Sequence, residues 1–172
     1  MNAKPATRRV FFALWPDAEV RAAIASRREA SGERPGRPVP DHNLHATLVF
    51  LGDQPVGLVD RLIREEPPAG VRPFSLTLDR FGWFARARVA WLGGPAVPAG
   101  ERLVAELAAR ARAQGIEVDR RPWVPHVTLF RNVRRRPSLA PPEPLVWPVA
   151  CFALVESVPK RPYQVLRTWP LQ

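Results

Sequence analysis

A short pattern occurs twice in this chain, as His45-Ala46-Thr47-Leu48-Val49-Phe50 and as His126-Val127-Thr128-Leu129-Phe130. Each copy is an apolar, β-branched run of strand length, so the fold must accommodate two strands of one design. Side chains alternate along a strand with period two, which puts each histidine and the threonine two positions later on a common face. The chain holds only three histidines, and two of them stand in this repeat. Two such strands can turn two imidazoles and two hydroxyls toward one cleft, a suitable set of groups for acid–base chemistry at phosphorus.

The remaining segments read as an alternation of strands and helices. Val10 to Trp15 is a strand ended by Pro16, and Asp17 caps a helix to about Ala30 with Val20 and Ile24 on its buried stripe. A Pro/Gly/Arg-rich loop, Ser31 to Asp41, leads to a strand from Leu44 to Leu51 closed by Gly52-Asp53, and then to a helix from Val56 to Glu66. Phe74 to Leu78 alternates as a half-buried strand. Phe81-Gly82-Trp83-Phe84 reads as an aromatic turn and Arg88 to Leu92 as a strand. A helix from about Gly100 to Gln114 presents Leu103, Val104, Leu107, Ala108 and Ala111 on one stripe, and strands at Trp123 to Phe130, Val146 to Val155 and Tyr163 to Trp169 complete the chain. The class is α+β. With 172 residues, 46% of them hydrophobic, residues 1–172 make one domain, and the long helix before each His-x-Thr strand suggests two related lobes.

Composition narrows the function classes. Cys151 is the only cysteine, so no intrachain disulfide exists, and Val149 to Leu154 around it read as a buried strand. The basic start is not succeeded by an apolar signal core, and no stretch is long enough to span a bilayer; a cytoplasmic protein is expected. The formal charge is +10, and every base except Lys4 and Lys160 is arginine, whose planar fork suits phosphate. Arginines gather at Arg120-Arg121 and at Arg131, Arg134, Arg135 and Arg136, flanking the second His-x-Thr segment. The triple arginine reads equally as a solvated loop or as a nucleic-acid contact.

Imidazole titrates near neutrality, so one ring can take a proton while another gives one. Threonine hydroxyls beside the rings can donate to nonbridging phosphate oxygens where transition-state charge develops. A lone histidine in an apolar strand is more often a packing residue, but a repeated one in matching contexts argues for function. Zinc would require three or four close ligands. The single cysteine sits in an expected core strand, His42 lies an odd number of positions from His45, and only Asp41 and Asp53 could be recruited, so no metal or other cofactor is expected.

The segments Asn43 to Gly52 and Trp123 to Arg131, with Arg9 to Leu14, Trp91-Leu92-Gly93 and the final strands, closely resemble the two-histidine (HxTx) phosphoesterase superfamily, and within it the RNA 2′,3′-cyclic phosphodiesterases, historically called 2′-5′ RNA ligases. The resemblance implies a bilobed α+β fold with two antiparallel sheets around a central groove and helices outside. It implies metal-independent hydrolysis of RNA 2′,3′-cyclic phosphate ends, tRNA fragments among them, to 2′-phosphomonoesters by a monomer, with 2′-5′ ligation as the reverse. His126 would then be the base that activates water, His45 the acid that protonates the leaving 3′ oxygen, and Thr47, Thr128 and Arg131 the phosphate ligands.

Arg131 is five positions past His126, so an ideal strand points it away from the groove. A bulge or the strand's end must re-aim it, or it acts from the rim. Phe130 should share the face of His126, where it either stacks on a base or packs. Trp123 has the same two readings. His42, Arg134 and Arg135 are further candidate RNA contacts. The competing functions are a phosphodiesterase for small cyclic nucleotides and a noncatalytic RNA-binding module.

Overall fold

A computed structural model describes residues 6–172; Met1 to Pro5 lie outside the described residues. The first strand, β1 (Thr7–Leu14), leads to α1 (Ala18–Ala30), which Asp17 opens by accepting the Val20 amide at 2.8 Å. Caps of this kind are worth about 1 kcal/mol. Besides Val20 and Ile24, α1 buries Arg28, whose guanidinium donates to the Val39 carbonyl at 2.7 Å and pairs with Asp41 at 2.8 Å. That contact ties α1 to the short 3₁₀ turn Asp41–Asn43 immediately before His45.

Three segments between α1 and α3 depart from the sequence expectation. The loop after α1 contains a two-residue strand, β2 (Arg37–Pro38), and β3 (Ala46–Pro55) continues past Gly52 before α2 (Val56–Arg64). Gly52 does not end the strand; its φ of +75° lets β3 bend and keep its pairing with β1 to Pro55. After β4 (Phe74–Leu78), the expected aromatic turn is a strand, β5 (Arg80–Phe84), hairpinned to β6 (Val89–Gly93). Gly82 is there for space rather than for a turn, because a Cβ on it would stand 2.0 Å from the Trp91 ring lying across it.

The long helix α3 (Pro98–Ala113) starts two residues before the expected Gly100, with proline in the first turn, where it is tolerated. It buries Leu103, Leu107, Ala108 and Ala111 as the stripe requires, each leucine contributing about 2 kcal/mol by removal from water. β7 (His126–Arg131) carries the second motif. The expected single strand from Val146 to Val155 is two, β8 (Leu145–Val149) and β9 (Cys151–Glu156), which part at Ala150 to join different sheets. Cys151, expected in the core, opens β9 half-buried. The chain closes with β10 (Gln164–Pro170).

Both sheets are antiparallel and unequal. β4 and β8 form a two-stranded sheet, and the larger one runs β10-β9-β1-β3-β7-β6-β5 with β2 alongside β7. Its two halves meet at a seam where β3 and β7 share one residue pair, Ala46 with Val127. One face of β1 sends Val10, Phe12 and Leu14 into the main core under the helices; Phe11 and Ala13 face the other way. No helix among the described residues is long and apolar enough to cross a membrane.

Candidate active site

The seam brings the two motifs together. An antiparallel register centred on Ala46 and Val127, carried one residue to either side, sets His45 across from Thr128 and Thr47 across from His126. Each histidine thus has the threonine of its own strand two residues along and the partner strand's threonine opposite. The result is a quartet with pseudo-twofold symmetry about the seam.

The rings are held alike. His45 Nδ1 lies 2.7 Å from the Asn43 carbonyl and His126 Nδ1 2.7 Å from the Val124 carbonyl, in each case two residues back. A carbonyl only accepts, so Nδ1 donates in both rings and Nε2 is left for chemistry. In the neutral His45 ring, Nε2 accepts from the Thr47 hydroxyl at 3.2 Å. The surroundings differ. His45 is enclosed by Phe11 (ring centroids 4.9 Å apart), by Trp15, stacked at 5.6 Å, and by the edge of Tyr163 at 5.3 Å. His126 has the edge of Phe84 at 5.0 Å and Trp91 at 5.8 Å.

Burial pushes His45 down to about 4; the Asn43 carbonyl pulls the other way, and the positive charges of Arg131 and His126 add to the depression. His126 is also lowered by burial, against the pull of the Val124 carbonyl.

Beyond each threonine, a bulge sets which way the side chains face. In β7, Trp91 pairs with Thr128 and Ala90 with Phe130, so Leu129 is left out of the register. In β3, Ala13 pairs with Thr47 and Phe12 with Val49, so Leu48 is left out. One extra residue reverses the alternation beyond it. Phe130 therefore turns into the core, only 2% exposed, and is neither in the groove nor available to stack. Arg131 takes the groove side, where its charge acts on His45 and its guanidinium reaches the Tyr163 hydroxyl at 3.5 Å. Of the three readings of Arg131, re-aiming by a bulge is the one observed.

Trp123 packs between the start of α3 and β3, with its Nε1–H donating to the Thr47 carbonyl at 3.0 Å; it locks the first motif to the approach of the second while lining the cleft. His42 is exposed on the 3₁₀ turn, and Arg134 and Arg135 are exposed on the loop after β7, none of them among the residues lining the cleft beside His126. Asp41 and Asp53 are engaged by Arg28 and Arg9. Among the described residues, no group of three or more His, Cys, Asp or Glu side chains is arranged to hold a metal ion.

Sequence reasoning missed Tyr163. It packs on His45 and Phe11, accepts from Arg131 through its hydroxyl, and donates its backbone N–H to Asn43 Oδ1 at 3.0 Å, bracing the turn that anchors His45. The one available signal was its rarity, since it is the only tyrosine in the chain.

Residues 14–91 match the family model of LigT-like phosphoesterases. The chain is 36% identical over 142 residues to the RNA 2′,3′-cyclic phosphodiesterase of Escherichia coli K12, covering 78% of this chain and 77% of the relative. It is 35% identical over 181 residues to the enzyme of the same name from Thermus thermophilus, covering 95% and 90%. Among solved structures, Escherichia coli LigT complexed with 3′-AMP superposes with a TM-score of 0.84 at 34% identity, over 96% of this chain and 99% of that one.

Proposed function

This chain belongs to the LigT-like phosphoesterase family, and from that premise we propose that it is an RNA 2′,3′-cyclic phosphodiesterase that opens cyclic phosphate ends to 2′-phosphomonoesters. The observation that carries the reading is the quartet at the seam, with both Nδ1 atoms anchored by carbonyls. In the proposed reaction His126 Nε2 takes a proton from water as its oxygen bonds to phosphorus. The bond from phosphorus to the 3′ oxygen breaks, and His45 Nε2 supplies the proton to that oxygen. Thr47 and Thr128 donate to the nonbridging oxygens, and Arg131 balances their charge.

The acid role asks His45 to carry a proton that its own surroundings disfavour. A phosphodiester anion seated between the rings offsets Arg131 and stabilises imidazolium, so protonation accompanies substrate binding. Two imidazoles, two hydroxyls and one guanidinium supply every proton transfer and charge contact in this scheme without a metal. With a 5′-hydroxyl in place of water as the nucleophile, the same ring opening breaks the bond from phosphorus to the 3′ oxygen and leaves a 2′-5′ phosphodiester, with water competing unless the RNA ends are held together. Both motifs come from one chain, in keeping with a monomer; the single free cysteine suits a reducing compartment such as the cytoplasm, and RNA ends such as tRNA fragments are the proposed substrates.

The test is turnover of an RNA ending in a 2′,3′-cyclic phosphate, with and without a chelator, and identification of the phosphate position in the product. A 2′-phosphate formed equally in both conditions is expected. A 3′-phosphate product would reverse the assignment of the leaving oxygen, and loss of turnover with chelator would overturn the metal-free scheme.

A further inference from the structure

The two motif strands are equivalent through the fifth residue after histidine, but that residue differs. In β7 it is Arg131; in β3 it is Phe50, turned to the groove side by the bulge at Leu48 and paired across β1 with Phe11. Phe50 is 47% exposed, unusual for a phenylalanine, and the Arg9 guanidinium lies over its ring at 4.8 Å. It lines a cleft of about 1300 Å³ that opens from Thr47 and His126 and passes Phe84, exposed Arg86 on the β5–β6 turn, and Val124. Small-molecule pockets hold roughly 300–1,000 Å³. The cleft therefore exceeds what one reacting nucleotide fills.

Resting on the proposed phosphodiesterase reading, we infer that this cleft is a subsite for single-stranded RNA on the 5′ side of the reacting end, with the Phe50–Arg9 pair as a base-stacking platform and Arg86 as a phosphate contact. The polarity comes from chemistry: a 2′,3′-cyclic phosphate terminates its strand, so every further nucleotide lies 5′ of it. An exposed aromatic ring backed by guanidinium, in a groove with a free cation, is the arrangement that holds single strands without reading sequence. Arg86 makes no ion pair among the described residues. The carboxylate in the wall, Asp119, is neutralised by Arg121, whose Nε donates to it at 2.8 Å. The pseudo-twofold relation thus assigns one fifth-position residue to the phosphate and the other to the polymer.

The experiment compares kcat/KM for 2′,3′-cyclic AMP and for an oligoribonucleotide ending in the same cyclic nucleotide, in the wild type, Phe50→Ala, Phe50→Tyr and Arg86→Ala. The oligonucleotide-to-mononucleotide ratio is expected to fall about tenfold in Phe50→Ala, the scale of one lost base stack, to persist in Phe50→Tyr, and to fall severalfold in Arg86→Ala with a weaker salt dependence. Equal losses on both substrates in Phe50→Ala and Arg86→Ala, or an unchanged ratio in both, would overturn the subsite. Failure of the wild type to open either substrate would instead overturn the phosphodiesterase reading on which it rests.

Discussion

The two halves of the site share a motif and differ in what stands behind it. His45 sits in an aromatic box of Phe11, Trp15 and Tyr163, with Arg131 close enough to oppose its protonation. His126 rests against Phe84 and Trp91 and borders the open cleft. Identical anchoring of Nδ1 by a carbonyl two residues back gives both rings the same tautomer. The surroundings alone then distinguish them: one ring is enclosed beside a cation and the other borders the open cleft, and the proposed acid and base roles rest on that difference. A repeated motif thus supplies symmetry of position, and the packing around it removes symmetry of environment.

The largest effects should come from deleting either ring. His45→Ala and His126→Ala are each expected to lower kcat by about 10²–10⁴-fold, and the double variant should fall little further, because the two protons move in one reaction. Additive losses in single-turnover measurements would show that the halves act independently.

The aromatic box makes an acid-sensitive contribution to stability. His45 titrates near 6.5 when unfolded and about 4 when folded, so the unfolded chain binds the extra proton between these values. Stability should be complete above pH 6.5 and fall by about 3 kcal/mol as the pH drops to 4. Denaturant titrations at both pH values should show a smaller loss in His45→Asn; an equal loss would mean that the box does not disfavour the charged ring. The depression of both histidines also puts the maximum of kcat/KM below pH 6.5, since one neutral and one charged ring must coexist. An optimum above pH 7 would contradict it.

The threonines test whether the quartet itself is symmetric. Thr47→Val and Thr128→Val should each reduce kcat by about tenfold to a hundredfold through loss of one oxyanion donor. Thr47→Val should in addition shift the pH profile, because its hydroxyl contacts His45 Nε2. The smallest change is expected from Tyr163→Phe, which keeps the ring packing on His45 and removes the acceptor for Arg131. A loss of about tenfold in kcat/KM, read from initial rates, is expected from one released hydrogen bond to a charged group, at the low end because the contact is 3.5 Å long. No change would mean that Arg131 is positioned by its strand alone.

Much of this was legible in the sequence because it depends on neighbours along the chain. The Asp17 cap, the stripes of α1 and α3, and the pairing of each histidine with its own threonine come from local period and local hydrogen bonding. The sense of the seam, the opposition of His45 to Thr128, and the closure of Tyr163 over His45 required strands far apart in sequence to meet. The same holds for the break at Ala150, where β8 and β9 leave for different sheets.

The bulges mark the boundary between the two kinds of information most clearly. Strict alternation, which is all a strand's own residues specify, would put Phe130 in the groove and Arg131 behind it. The partner strand skips Leu129 in one half and Leu48 in the other, and that single unpaired residue buries Phe130 while turning Arg131 and Phe50 toward the site. The sequence by itself determined which residue types were available and the local period that joins each histidine to its threonine. Only the tertiary structure decided which of the later side chains face the groove, because register is a property of two strands, set by packing on both sides of the sheet.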